Sequence, residues 1–177
     1  IMKTIKKIGI VLTMVFATLL SSCSSDDGGG GGGTASLGQV KAKVGGTNFT
    51  SMDLATFATK QVIGGFTTII VQGSDASGKA IQLILSDYDG GTGTYAISDD
   101  ANISAIASYI EANISNPMAS QTWAAPYDGS GSVGSITITE ISDTNVKGTF
   151  NFTGKNQDGD DTKAITNGAF NVNFTSN

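Results

Sequence analysis

Four groups of residues in this 177-residue chain carry side chains able to do chemistry. Cys23 is the only cysteine, so no disulfide can form within one chain and the thiol is available for a lipid instead. Asn156-Gln157-Asp158-Gly159-Asp160-Asp161 places several oxygen donors on one loop, the donor type a hard cation such as calcium takes, with Asp158, Asp160 and Asp161 as candidate ligands. The spacing is not that of an EF-hand, because the glycine falls early and no glutamate follows at the twelfth position. Asp-Gly is equally a hairpin turn, and Asp87-Tyr88-Asp89-Gly90-Gly91 presents the same choice in weaker form. Trp123 and Tyr127 lie in a stretch rich in small residues, 120–132, and are candidate ligand-binding residues because an aromatic face with a polar edge can stack on a sugar. A lone tryptophan in a β domain more commonly anchors the core. Glu111 and Glu140 are the only glutamates. Glycan hydrolysis by paired carboxylates needs two such groups about 5–10 Å apart across a cleft, one of them with a raised pKa. Most aspartates here fall in glycine-rich turns, where water keeps them ionised.

The missing residue types narrow the chemistry further. All ten basic residues are lysines, and the chain has no histidine and no arginine. The usual triad base, the commonest zinc ligand and the physiological-pH switch are therefore absent from this sequence. So is bidentate clamping of phosphate or carboxylate. Three of the lysines and none of the fifteen acids precede residue 23, which leaves seven lysines against fifteen acids, a net charge of −8, for 23–177. That balance argues against nucleic acid as a partner, since phosphate binding rests on lysine and arginine. These exclusions point to a non-enzymatic protein with no obligatory cofactor.

The elements that would position these groups begin at the amino terminus. Lys3, Lys6 and Lys7 precede an apolar run from Ile8 to Leu20, followed by Leu20-Ser21-Ser22-Cys23. A basic region, a short apolar segment and small residues describe a secretory leader, and the run is shorter than the roughly 20 apolar residues of a membrane span. The Leu-Ser-Ser-Cys ending resembles the lipobox of bacterial lipoproteins, which implies cleavage before Cys23 and a lipid on its sulfur. Residues 1–22 are thus expected to be a signal peptide, 23–36 a lipidated cysteine with a flexible tether containing six consecutive glycines, and 37–177 one folded domain. Ser24-Ser25-Asp26-Asp27 resembles the acidic surface-export signal of Bacteroidota lipoproteins. The expected location is the outer membrane, with the domain on the cell surface or, as the alternative, the periplasmic leaflet. The expected partners are the membrane, through Cys23, and a glycan or an envelope protein.

From residue 37 onward short Thr/Val/Ile/Phe-rich runs alternate with Gly/Asp/Asn/Ser turns, the pattern of many short strands. Val40, Ala42 and Val44 alternate with polar residues up to Gly45-Gly46, and Thr47–Ser51 returns around Phe49. Runs 67–73 and 79–86 form a hairpin around 74–78, and their nearly continuous apolar character predicts central strands covered on both faces. Ile136/Ile138, Val146/Phe150/Phe152 and Phe170/Val172/Phe174 predict three antiparallel strands with one apolar face. Segment 101–114 fits a helical stripe through Ile103, Ile106, Ile110 and Ile114, while its surroundings favour a strand. The expected fold is all-β, an antiparallel β-sandwich or flattened barrel of about eight to ten strands.

Several pieces occur in order along nearly the whole chain: the lipobox, Val44-Gly45-Gly46-Thr47-Asn48-Phe49, Gly93-Thr94-Tyr95, Gly134-Ser135-Ile136-Thr137-Ile138, Val146-Lys147-Gly148-Thr149-Phe150-Asn151-Phe152 and Ile165-Thr166-Asn167-Gly168-Ala169-Phe170. Together they resemble a family of short Bacteroidota lipoproteins known only as a domain of unknown function. The resemblance implies an all-β lipoprotein domain in which the region of Tyr109 is extended, and it brings no catalytic or binding residues. Three functions follow as expectations: a surface binding or interaction module, a structural or accessory subunit of an outer-membrane complex, and a carboxylate-dependent glycan hydrolase. A binding module predicts exposed Trp123 and Tyr127, a docking subunit an exposed apolar patch, and a hydrolase two converging carboxylates.

Overall fold

A computed structural model describes residues 33–102 and 104–175. The signal peptide, Cys23 and most of the glycine run fall outside the described residues, as does Ile103. Eleven strands account for most of the described chain: β1 Gln39–Val44, β2 Thr47–Thr50, β3 Thr56–Ile63, β4 Phe66–Ser74, β5 Lys79–Tyr88, β6 Gly93–Ser98, β7 Ser104–Glu111, β8 Gln121–Ala125, β9 Ser132–Ile141, β10 Asn145–Asn156 and β11 Thr162–Asn173. Two single 3₁₀ turns, Asp53–Ala55 and Pro117–Ala119, are the only helical pieces among the described residues. The ambiguous segment is therefore a strand. Within Ser104–Glu111, Ile106 and Ile110 alternate with buried Ala105, Ala107 and Tyr109, a period of two rather than a helical stripe.

All the strands belong to one sheet, ordered β2-β1-β11-β10-β8-β7-β5-β4-β3, with neighbours antiparallel. Twelve-residue β10 divides its second edge, pairing with β9 from Val146 to Phe152 and with β8 at Lys155 and Asn156. β6 extends the β9 branch. The far edge returns to the carboxyl terminus: Ala58 of β3 forms a parallel bridge with Phe174, and the Thr175 N–H donates to the Ala58 carbonyl at 2.8 Å. The sheet thus curls into a half-barrel, with eleven strands where eight to ten were expected.

Two of the tight turns explain themselves. β1–β2 and β3–β4 each join through two glycines with positive φ, Gly45-Gly46 at 55° and 86° and Gly64-Gly65 at 62° and 88°. That is the type I′ geometry that matches strand twist, and a side chain at either position is strained. The core fills the concave face. Val40, Ile69, Val71, Ile81, Leu83, Leu85, Tyr109, Trp123, Ile136, Phe150, Phe170 and Val172 are all at most 3% exposed, each contributing about 1.5–3 kcal/mol of transfer free energy. Ala35 is also buried, so the folded unit starts within the expected tether. All buried core residues lie between Ala35 and Val172, inside one compact unit.

One expectation is corrected. β4 and β5 are central, yet only their concave face is covered. Ile70 and Ile84 point outward and are half-buried, and no α-helix or second sheet lies over them among the described residues. Their apolar runs mark a core face backed by an apolar outer face, not a doubly covered strand.

Candidate functional site

Trp123 occupies an inward position on β8, opposite Tyr109 of β7 and Asn156 of β10. It is 2% exposed. Its Nε1–H donates to Asp161 Oδ2 at 2.8 Å, its ring lies 5.8 Å from that of Tyr109, and Lys163 Nζ stands 3.5 Å from its centroid. Trp123 is therefore a core residue, the commoner of the two readings, and not an open stacking platform: its register turns the ring inward, and an ammonium covers it. Tyr127 is half-buried in the loop after β8, where its backbone N–H donates to Ser130 Oγ at 3.3 Å. No aromatic pairing among the described residues joins it to Trp123.

The acidic loop between β10 and β11 disperses its carboxylates. Asp161 accepts from Trp123. Asp160 pairs with Lys155 at 3.0 Å, fully exposed. Asp158 donates its backbone N–H to Asn156 Oδ1 at 2.8 Å. Among the described residues no group of three or more acidic, histidine or cysteine side chains converges as a metal would need. In the other loop, Asp89 caps its own turn, accepting from the Gly91 N–H at 3.1 Å.

The two glutamates also go separate ways. Glu140 pairs with Lys147 at 2.8 Å on the outer face. Glu111 Oε1 receives two donors, Lys163 Nζ at 2.8 Å and the Tyr109 hydroxyl at 2.9 Å. Burial alone would raise the Glu111 carboxyl, but these two hydrogen bonds outweigh it and hold the group below its usual range. A general acid needs the opposite direction. Tyr109 is pushed well above the ordinary phenol range by burial and by its bond to Glu111. A shallow depression of about 440 Å³ opens beside Glu111, lined also by Ser77, Lys79, Asn113 and Gln121, without Glu140. Glu111, Lys163, Tyr109 and Trp123 thus form an ion pair seated on two aromatic rings.

The convex face of β3, β4, β5, β7 and β8 is different in kind. Strand register aligns Phe57, Gln72, Gln82, Ser108 and Ala124 in one row across five strands, and Thr59, Ile70, Ile84 and Ile106 in the next. Ser74, Ala80, Ile110 and Thr122 make a third, and the Ile63–Phe66 pair closes the hairpin end. None of these residues is charged. Lys60, Lys79 and Glu111 of the same strands all sit at inward register positions. Charge is met only at the margins, at Lys155 beside Ala124 and at Asp75, Asp87 and Asp99 near strand ends. Ile106 is 41% exposed, Phe66 60% and Ile63 74%, and Gln82 Nε2 donates to Gln72 Oε1 at 3.1 Å within the face. A second depression, about 300 Å³, borders it at Ile106 and Pro126. Sequence reading missed this face because β3 and β5 each mix a lysine with isoleucine and Glu111 follows Ile110 on β7; only the register separates them.

Comparison with known proteins adds a family. A family model described as Domain of unknown function (DUF6252) matches residues 38–172. No curated protein and no solved structure matches the chain.

Proposed function

Starting from a chain that belongs to the family Domain of unknown function (DUF6252), we propose that it is a non-enzymatic, lipid-anchored envelope protein that docks through the convex face of β3, β4, β5, β7 and β8. The observation that carries this reading is the charge-free character of that face in an otherwise acidic chain. Depletion of charge at the centre with a charged rim is how protein–protein interfaces differ from ordinary surface, and contiguous apolar exposure on a monomer commonly marks one. Between the two leading expectations, docking is favoured over glycan capture, because Trp123 is enclosed.

The anchor belongs to the same proposal. Cys23 carries the lipid after cleavage of residues 1–22, the glycine run spaces the domain from the outer membrane, and Ser24-Ser25-Asp26-Asp27 directs it to the cell surface in a Bacteroidota host. Two experiments test it. A Cys23→Ala variant should leave the membrane fraction, and retention there overturns anchoring. A photo-crosslinking residue at Ile106 should give a discrete protein adduct in cells, while one at Thr149 on the opposite outer surface should not. Equal labelling from both positions, or none from Ile106, overturns docking through this face.

A further inference from the structure

We infer that the occupant of the charge-free face is a second copy of this chain, an inference that rests on docking through that face. The argument is electrostatic. With seven lysines against fifteen acids in 23–177, two copies repel each other over most approaches. A basic partner would be drawn to the acidic loops and an acidic one to exposed lysine; neither gains anything from a surface of Ile, Gln, Ser and Thr. A surface matched to it must be equally uncharged, and this chain carries one. On this face two acidic copies meet without placing carboxylate against carboxylate, and the acids sit at the rim, where water screens them.

Shape and size agree. Five neighbouring strands about 4.8 Å apart, eight to ten residues long except for five-residue β8, give a footprint of roughly 20 by 25 Å at about 3.3 Å per residue. Corrugated by side chains, that approaches the lower end of the roughly 600–1,000 Å² per partner of a standard-size specific interface. A two-fold axis through such a face is isologous, the commonest closed arrangement. The isoleucine row Ile70–Ile84–Ile106 then meets its symmetry mate, as inner faces do between packed sheets. The Gln72–Gln82 pair offers amide donors and acceptors that satisfy themselves or their mates.

The test is the association state of residues 24–177, which contain the whole core and so the whole folded unit. Sedimentation equilibrium from micromolar to near-millimolar concentration should show a reversible dimer. Ile84→Lys combined with Ile106→Lys should weaken it at least about tenfold with an unchanged circular dichroism spectrum, because both side chains point away from the core. Thr149→Lys should leave association intact. A monomer throughout, or a dimer indifferent to the double variant, overturns the inference. The crosslink separates that failure from a failure of docking itself. A monomer that still forms an Ile106 adduct with a different protein keeps the docking face and assigns it another partner. A monomer without any adduct removes both.

Discussion

Lys163 Nζ lies 3.5 Å from the centre of the Trp123 ring and 2.8 Å from Glu111 Oε1. The one ammonium therefore bonds to a carboxylate and covers an indole at the same time. Lys163 and Glu111 are 52 positions apart, on β11 and β7, strands that do not pair. The contact links two strands that β8 and β10 separate in the sheet.

Lys163→Met should test how much of that link is electrostatic. It retains the stem over Trp123 but removes the cation, leaving Glu111 with the Tyr109 hydroxyl alone. The expected loss is about 1–2 kcal/mol, since a cation over an aromatic ring contributes about 0.5–2 kcal/mol and a part-exposed ion pair little more. Chemical denaturation followed by tryptophan fluorescence measures it, and the emission of Trp123 should shift in the folded state.

Acid should weaken the same group. The folded Glu111 carboxyl is held below its ordinary value of 4.5, so its contribution is fully present above that value and is lost as pH falls through the lower, folded one. Glu111→Gln should flatten this part of the stability profile while leaving the neutral-pH arm parallel to that of the native chain. Thermal unfolding between pH 3 and pH 7 decides it; an unchanged acid slope would contradict the pairing.

The acidic loop should divide by partner. Asp161→Ala removes the acceptor of Trp123 Nε1–H and should cost about 1–2 kcal/mol, because an enclosed donor is left without its partner. Asp158→Ala and Asp160→Ala should each change stability by less than about 0.5 kcal/mol. With the carboxylates on separate partners, calcium should leave the melting temperature of all four proteins where it was.

Tyr88→Phe is expected to be neutral or stabilising. Tyr88 is 1% exposed, its ring meets Tyr95 edge-on at 5.2 Å, and its hydroxyl has no hydrogen-bond partner among the described residues. Deleting an enclosed, unsatisfied hydroxyl while retaining the ring should add up to about 1 kcal/mol, a rise of a few degrees in Tm. A clear loss of stability would mean that the hydroxyl is satisfied by a bound water.

Gly148→Ala should be severe, about 3 kcal/mol or more by the overpacking mechanism. A Cβ there would stand 2.1 Å from the Thr137 carbonyl oxygen and 2.5 Å from the Phe170 ring. β9 presses on β10 and the Phe170 ring fills the space a side chain would need. Loss of the cooperative transition at physiological temperature is the expected reading.

Much of the fold was legible because period-two patterning is local. Val40/Ala42, Ile136/Ile138, Val146/Phe150/Phe152 and Phe170/Val172 announce their buried face through neighbours two positions away, and a strand needs no distant information to choose its faces. β3 was not legible: Thr56–Ile63 mixes Lys60 and Gln61 with Val62 and Ile63, and it owes its place to pairing with β4 and the return bridge to Phe174. Segment 104–111 stayed ambiguous because Ile106 and Ile110 face outward, where an apolar residue weakens the alternation that marks a strand. Trp123 could be weighed as core or platform, but its enclosure depends on Lys163 and Asp161, about forty residues downstream.

By itself the sequence determined the chemistry that is missing, through the absence of histidine and arginine, and the all-β class, through local alternation and glycine turns. Those are properties of residue types and of near neighbours along the chain. Tertiary structure alone decided which carboxylates meet which lysines and which isoleucines share a face. Register across five strands sends Lys60, Lys79 and Glu111 inward and Ile70, Ile84 and Ile106 outward. A charge-free surface is a property of pairing between strands, and no single strand carries it.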